Sequence, residues 1–284
     1  MKKTTSFLFA AAALFWVNLH AAELNRICIL GSCSGTEPMP GRHHTAWTLE
    51  TGGRLYQFDA GENCAHTASV NNIDLLKLRA IFISHPHFDH VNGLSHLLWT
   101  RNKVAVRFKR KPDVSPLPVY TPQPQQLDAM VNALDFGGKG KKGYRRCVSA
   151  IPVQPGIIFD DGTIKVEALR NKHCKPAPDG AWLSYSYRIF AGNKKIVFSG
   201  DMKHIDELDP FLSDCDILLV ETGHHHPWEI AGRIRGNSKW TVRKLVFVHH
   251  GRDILNHPEE SMQRTAKAWG SKPVFAEDAM FIEF

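Results

Sequence analysis

Three imidazoles and one carboxylate, His85, His87, Asp89 and His90, fall within six positions directly after the apolar run 78–83. Imidazole nitrogen and carboxylate oxygen hold zinc and other first-row divalent ions while leaving positions open for water. Four such groups side by side are unfavourable to bury unless a cation compensates them, so the pattern announces a metal site. His85 and His87 stand two apart and point the same way on an extended or tightly turned segment, while Asp89 and His90 can turn toward a second ion. One loop can then feed two metals. A strand in front and Gly93 opening a helix behind set this stretch apart from a solvated, histidine-rich surface loop.

Further partners stand at the ends of other apolar segments. Asp59 ends the alternating strand 54–58 and precedes Ala60-Gly61-Glu62, a strand-to-helix turn. Asp201 follows the strand 195–200, His173 follows 164–169, and His249 closes 244–248, with His250 competing for the same position. Each lies at the carboxyl end of a hydrophobic strand, where an α/β sheet gathers its chemistry.

The set His85-x-His87-x-Asp89-His90, His173, Asp201 and His249, in that order, resembles the metallo-β-lactamase fold superfamily, and the likeness spans nearly all of residues 23–284. Within it the chain is most similar to the ribonuclease Z-like branch, through Leu30-Gly-Ser-Cys-Ser-Gly-Thr36 with Pro38, Pro40 and Gly41-Arg42, and through residues 185–189 and 198–201. The resemblance implies an α/β fold, a four-layer αββα sandwich of two mixed sheets with outer helices. It implies that His85, His87 and His173 hold one ion, that Asp89, His90 and His249 hold the other, and that Asp201 bridges them. Asp59 becomes the carboxylate that orients the ligand loop, since carboxylates accept imidazole N–H bonds well.

The cofactor expected is a pair of divalent ions, zinc first, with Mn2+ or Fe2+ as substitutes. Two ions about 3.5–4 Å apart lower the pKa of a bridging water toward neutrality, and the hydroxide attacks an ester, phosphodiester or amide. Asp89 and Asp201 are placed to take up its proton. For the leaving group, His224, His225 and His226 follow the strand 216–220, and His225 is the central candidate for the general acid. The same ligands with iron support an oxidoreductase such as a sulfur dioxygenase, and a non-catalytic metal-binding protein is the third reading.

The departures from ribonuclease Z bear on the substrate. That branch carries a long glycine-rich arm for tRNA between its Tyr-Arg strand and the bridging aspartate, whereas twelve residues separate Arg188 from Asp201. Its His-Glu-Ala-Thr motif is also altered, to Val220-Glu221-Thr222-Gly223. A small anionic or ester substrate is therefore expected, and tRNA is not. Dimers are common in the proteins it resembles.

Met1-Lys2-Lys3, the apolar residues 7–17 and Ala21-Ala22 before a polar stretch form the three parts of a secretory signal peptide, residues 1–22, which directs the remaining single domain, 23–284, to the periplasm or beyond. The apolar run is too short to span a bilayer comfortably. In an oxidising compartment the six cysteines, 28, 33, 64, 147, 174 and 215, could pair in any of fifteen ways, and no C-x-x-C marks a structural zinc knuckle. At 43% hydrophobic residues the chain suffices for one substantial core. The net charge of +7, lowered by two if Lys2 and Lys3 are removed, favours anionic substrates or envelope surfaces without arguing for nucleic acid. Positive charge gathers at residues 101–111 and 139–146, and Val104, Val106 and Phe108 alternate as on a half-exposed strand.

Strands are expected near 27–32, 45–50, 54–59, 79–83, 148–152, 164–169, 182–190, 194–199, 215–220, 244–248 and 273–275. Helices are expected near 61–70, 91–101, 125–135 and 258–269. A proline-dense link covers 112–124, and the glycine-rich residues 137–143 read as a mobile loop.

Overall fold

A computed structural model describes residues 24–35, 39–136 and 143–284. The expected signal segment, Thr36 and Pro38 of the opening motif, and residues 137–142 of the glycine-rich loop lie outside the described residues.

The first half of the chain forms β1 (Arg26–Gly31), β2 (Ala46–Thr51), β3 (Arg54–Phe58), α1 (Cys64–Val70), β4 (Leu78–Phe82), α2 (Phe88–Val91), α3 (Leu94–Arg107), β5 (Leu117–Thr121), α4 (Pro124–Phe136) and β6 (Val148–Pro152). The second half forms β7 (Gly156–Asp160), β8 (Ile164–Arg170), β9 (Tyr185–Ala191), β10 (Lys194–Phe198), α5 (Asp209–Leu212), β11 (Cys215–Thr222), α6 (Pro227–Gly236), β12 (Val242–His250), α7 (Arg252–Asn256), α8 (Pro258–Trp269), β13 (Val274–Phe275) and β14 (Phe281–Glu283). Two seven-stranded sheets result, ordered β14-β1-β2-β3-β4-β5-β6 and β13-β12-β11-β10-β9-β8-β7. Each mixes antiparallel hairpins with parallel neighbours, β3 to β6 in one and β10 to β13 in the other.

Period-two alternation sorts the strand residues into layers. Ile27 and Ile29 enter the core between the sheets, while Cys28 and Leu30 face the helices α1, α3 and α4. In the other sheet Ile217 and Leu219 point inward, and Leu218 and Val220 meet Phe211, Ile230 and Ile234 outside. Aromatic rings close the interior: Trp47 stacks on Phe58 at 4.2 Å and meets Phe198 edge-on at 5.5 Å. The expected four-layer αββα sandwich of the metallo-β-lactamase fold is the observed one.

Several local readings need correction. Residues 101–107 continue helix α3 rather than forming a strand. Leu94, Leu97, Leu98 and Arg101 are its buried residues, and this three-and-four spacing prevails over the local alternation of Val104, Val106 and Phe108. The proline-dense link contains strand β5, in which Val119 is fully buried between β4 and β6. Strands β7 and β14 and helix α6 add to the expected elements. Between β9 and β10 only Gly192 and Asn193 intervene, so no arm interrupts this sheet. All six cysteines are unpaired, and burial pushes the thiols of Cys28, Cys64 and Cys215 up to about 12.

Candidate metal centre

At the end of β3 the backbone of Asp59 turns into the left-handed region, φ 53°, and aims the carboxylate across the end of β4. Its Oδ1 accepts the Ser84 amide at 2.6 Å, and its Oδ2 accepts the Ser84 hydroxyl at 2.8 Å and Nδ1–H of His90 at 2.7 Å. With Nδ1 engaged as donor, Nε2 of His90 presents its lone pair to the cluster. Gly93 brings the ligand loop against the β3 turn: its amide donates to the Ala60 carbonyl at 2.8 Å, and an added Cβ would stand 2.1 Å from the Gly61 oxygen.

The nitrogens of three histidines converge on one point. Nε2 of His85 and Nε2 of His173 lie 3.0 and 3.1 Å from Nδ1 of His87, and each lies 3.6 Å from Oδ2 of Asp201. Ligands about 2.0–2.1 Å from a tetrahedral zinc stand roughly 3.3 Å from one another, so these four atoms are spaced as a metal requires. The other oxygen of Asp201, Oδ1, lies 3.3 Å from Nε2 of His90 and 3.2 Å from Nε2 of His249, and Oδ2 of Asp89 is 3.6 and 4.0 Å from the same two nitrogens. Asp201 thus turns one oxygen to each group. Nε2 of His90 and Oδ1 of Asp201 are buried without a hydrogen bond, an arrangement that a cation between them would satisfy.

Charge follows this layout. Burial holds the His85 and His173 imidazoles below their ordinary range, leaving them neutral as metal ligands must be. For Asp201, burial is outweighed by His249, His90 and His85, which hold its carboxyl well below the usual range. For His90, burial is outweighed by Asp201 and Asp59, which raise it well above its ordinary value: the two carboxylates draw positive charge to this imidazole, a proton in the metal-free chain that a bound cation would displace from Nε2.

His249 sits at φ 50° at the end of β12, with its Nδ1 2.6 Å from the Thr45 hydroxyl. His250, the competing candidate, turns away. Its Nε2 donates to the Ala276 carbonyl at 2.8 Å, and burial lowers its pKa to about 3.

The histidine run 224–226 divides. His225 approaches the Met202 carbonyl with its Nε2 at 3.0 Å and belongs to none of the convergent ligand groups. His226 bonds to Asp253. His224 is the one that joins the cluster, its ring 4.9 Å from that of His173 and 5.8 Å from that of His249. Nδ1 of His224 contacts both oxygens of Glu221 at 3.0–3.1 Å, and this hydrogen bonding raises the imidazole to about 9. Sequence alone points to His225, whereas the folded chain brings His224 to the cluster and adds Glu221 and Thr45 as hydrogen-bond partners behind it. Glu221 was detectable, since it stands at a strand end as Asp59 and Asp201 do. Beside this group opens a cavity of about 560 Å³ lined by Ser34, Gly35, His224, Glu229 and Arg252, among others.

Known proteins are similar to this chain in sequence or in fold. Ribonuclease Z of Treponema pallidum (strain Nichols) is 44% identical over 77 residues, 27% of this chain and 24% of that protein. Ribonuclease Z of Pyrococcus horikoshii is 25% identical over 271 residues, 78% of this chain and 85% of its own. The chain spans about a quarter of the length of the Treponema pallidum relative. Among solved structures, the metallo-β-lactamase fold protein YhfI of Bacillus subtilis superposes with a TM-score of 0.71 at 17% identity, covering 92% of this chain and 100% of that one. The short form of human tRNase Z gives 0.67 at 20% identity, covering 90% and 98%. The likeness to ribonuclease Z that the motifs suggested is therefore present, while the matching family model is a different one. That model, described as Anti-Pycsar protein Apyc1, matches residues 25–228, a span holding Asp59 and every proposed ligand but His249, and the chain belongs to this family.

Proposed function

We propose that the protein is a metal-dependent hydrolase of a small phosphodiester or related ester, working with two divalent ions of the zinc type. The supporting observation is Asp201, buried between two sets of imidazoles with a separate oxygen directed at each. His85, His87 and His173 would hold one ion, Asp89, His90 and His249 the other, with Asp201 shared. When bound, such ions supply Lewis acidity and make water reactive near neutral pH.

The chain's own groups do the rest. Asp59 and Thr45 orient His90 and His249 from behind, so the ligands meet substrate already positioned. Asp89 and Asp201 are carboxylates of the two ligand groups and fit the role of proton acceptors. His224, held by Glu221 at the cavity wall, is placed to give a proton to the leaving group, the role first considered for His225. The two-residue β9–β10 turn supports a small substrate over tRNA. The family description names an action against Pycsar, and on this reading that action is hydrolytic. The sequence of residues 1–22 supports export to the periplasm or beyond.

A screen of phosphodiesters, lactones, β-lactams and thioesters with metal-replete protein tests the reading. Turnover of bis(p-nitrophenyl) phosphate, lost in His87→Ala, is the expected result. Turnover confined to thioesters or β-lactams, or oxygen consumption with iron bound, would replace it.

A further inference from the structure

Glu221 keeps only 1% of its side chain exposed, and among the described residues no lysine or arginine pairs with it. Its Oε1 accepts the Met202 amide and its Oε2 the His224 amide, both at 3.0 Å. Its charged partners are imidazoles, Nδ1 of His224 at 3.0 Å and Nε2 of His225 at 3.6 Å. A carboxylate buried this deeply is unfavourable without a cation beside it. Oδ2 of Asp201 lies 3.8 Å from the same Nδ1 of His224. Asp201, Glu221, His224 and His249 each offer an atom within 4.8 Å of the others, a grouping apart from the His85 and the Asp89 groups. Nitrogen and oxygen ligands about 2.0–2.2 Å from a zinc-type ion stand roughly 3–4 Å from one another. The separations of 3.0, 3.1 and 3.8 Å around Nδ1 of His224 lie in that range.

We propose that Glu221 and His224, with Asp201 beside them, form a third cation site that fills when divalent metal is in excess and then switches hydrolysis off. The inference rests on the two-ion reading above, in which His224 gives the leaving group its proton. An ion on Nδ1 replaces the hydrogen shared with Glu221 and leaves a neutral imidazole, whose remaining N–H is too weak an acid for that task. His249 stays with the second ion, because Thr45 engages its Nδ1 and one nitrogen remains. The third site therefore has two ligands of its own, against three for each member of the pair, and two amides already draw on Glu221. It is the weakest of the three and empties on dialysis. Entry is open, since His224 lines the 560 Å³ cavity with 45% of its side chain exposed.

The test is a zinc titration of the metal-free full chain, with bound metal counted by equilibrium dialysis and hydrolysis of bis(p-nitrophenyl) phosphate followed in parallel. Two equivalents should bind tightly and bring activity to its maximum. A third should bind more weakly, and activity should fall with it to the level of His224→Ala. Glu221→Gln and His224→Ala should each bind two equivalents, which shows that they fold, and lack the third, so their lower activity should stay level in excess zinc. His226→Ala, which removes the other imidazole–carboxylate pair of the cavity wall, should keep the third equivalent and the inhibition. A third equivalent that survives in Glu221→Gln, or wild-type activity that stays level in excess zinc, would overturn the proposal. A chain that binds the third equivalent, and loses it in both variants, without hydrolysing any phosphodiester would uphold the site and refute the hydrolase reading instead.

Discussion

Asp59 and His90, thirty-one positions apart, are joined by a 2.7 Å hydrogen bond in which neither side chain has any access to solvent. The bond fixes which nitrogen of His90 is free, and Ser84 ties the same carboxylate to the start of the ligand loop. Asp59→Asn should therefore leave the fold intact and weaken metal binding by about 10–100-fold, measured by zinc titration against a competing chelator. Unchanged affinity would show that Asp59 serves the backbone alone.

His224→Ala should lower kcat by roughly 10²–10⁴-fold, with metal content preserved. His225→Ala should do much less, since that ring is turned to the Met202 carbonyl. Glu221 hydrogen-bonds His224 and raises its pKa, so Glu221→Gln should lower that pKa and move the basic limb of the kcat/KM profile toward lower pH. Equal losses in the two histidine variants would remove His224 from the role.

Gly223 packs directly against a ligand. A Cβ there would lie 2.6 Å from Cδ2 of His249 and 2.8 Å from Cβ of Ser34. Gly223→Ala should displace the His249 ring and selectively weaken one of the two metals, visible as biphasic binding in calorimetry. Two full-affinity sites in this variant would mean that His249 is not a ligand.

Asp161 links the sheets at a distance from the metals. Its Oδ2 accepts from Arg54 at 2.9 Å and from Tyr56 at 2.8 Å. Burial opposes its ionisation, but Tyr56, the Ile164 and Thr163 amides and Arg54 outweigh it and hold the carboxyl below 3.8. A carboxylate depressed on folding contributes stability that is full above its unfolded value and is lost as pH falls through its folded one. Asp161→Asn should thus cost about 1–3 kcal/mol at pH 7, with the gap closing below pH 4, as read from urea unfolding. A difference independent of pH would contradict the assignment.

What the sequence made legible was the ends of strands. Asp59, His173, Asp201 and His249 each follow an apolar run, and the fold brings all four to one edge of the sandwich. Alternation was misleading where a helix end mimicked it, at Val104, Val106 and Phe108, because buried Arg101 reads as a surface residue when its backbone acceptors, the carbonyls of Leu75 and Val114, are unknown. Strand β5 was hidden by Pro116 and Pro118, although five of its residues pair with β6. Which member of 224–226 faces the site depended on Glu221 and Met202, contacts that only the folded chain defines.

The most direct test of the two-metal account is elemental analysis of the purified chain alongside Asp89→Ala. The wild type should carry close to two zinc-type ions and hydrolyse bis(p-nitrophenyl) phosphate, and the variant should lose metal and activity together. A chain that binds no divalent ion, or one fully active after chelation and dialysis, would contradict it.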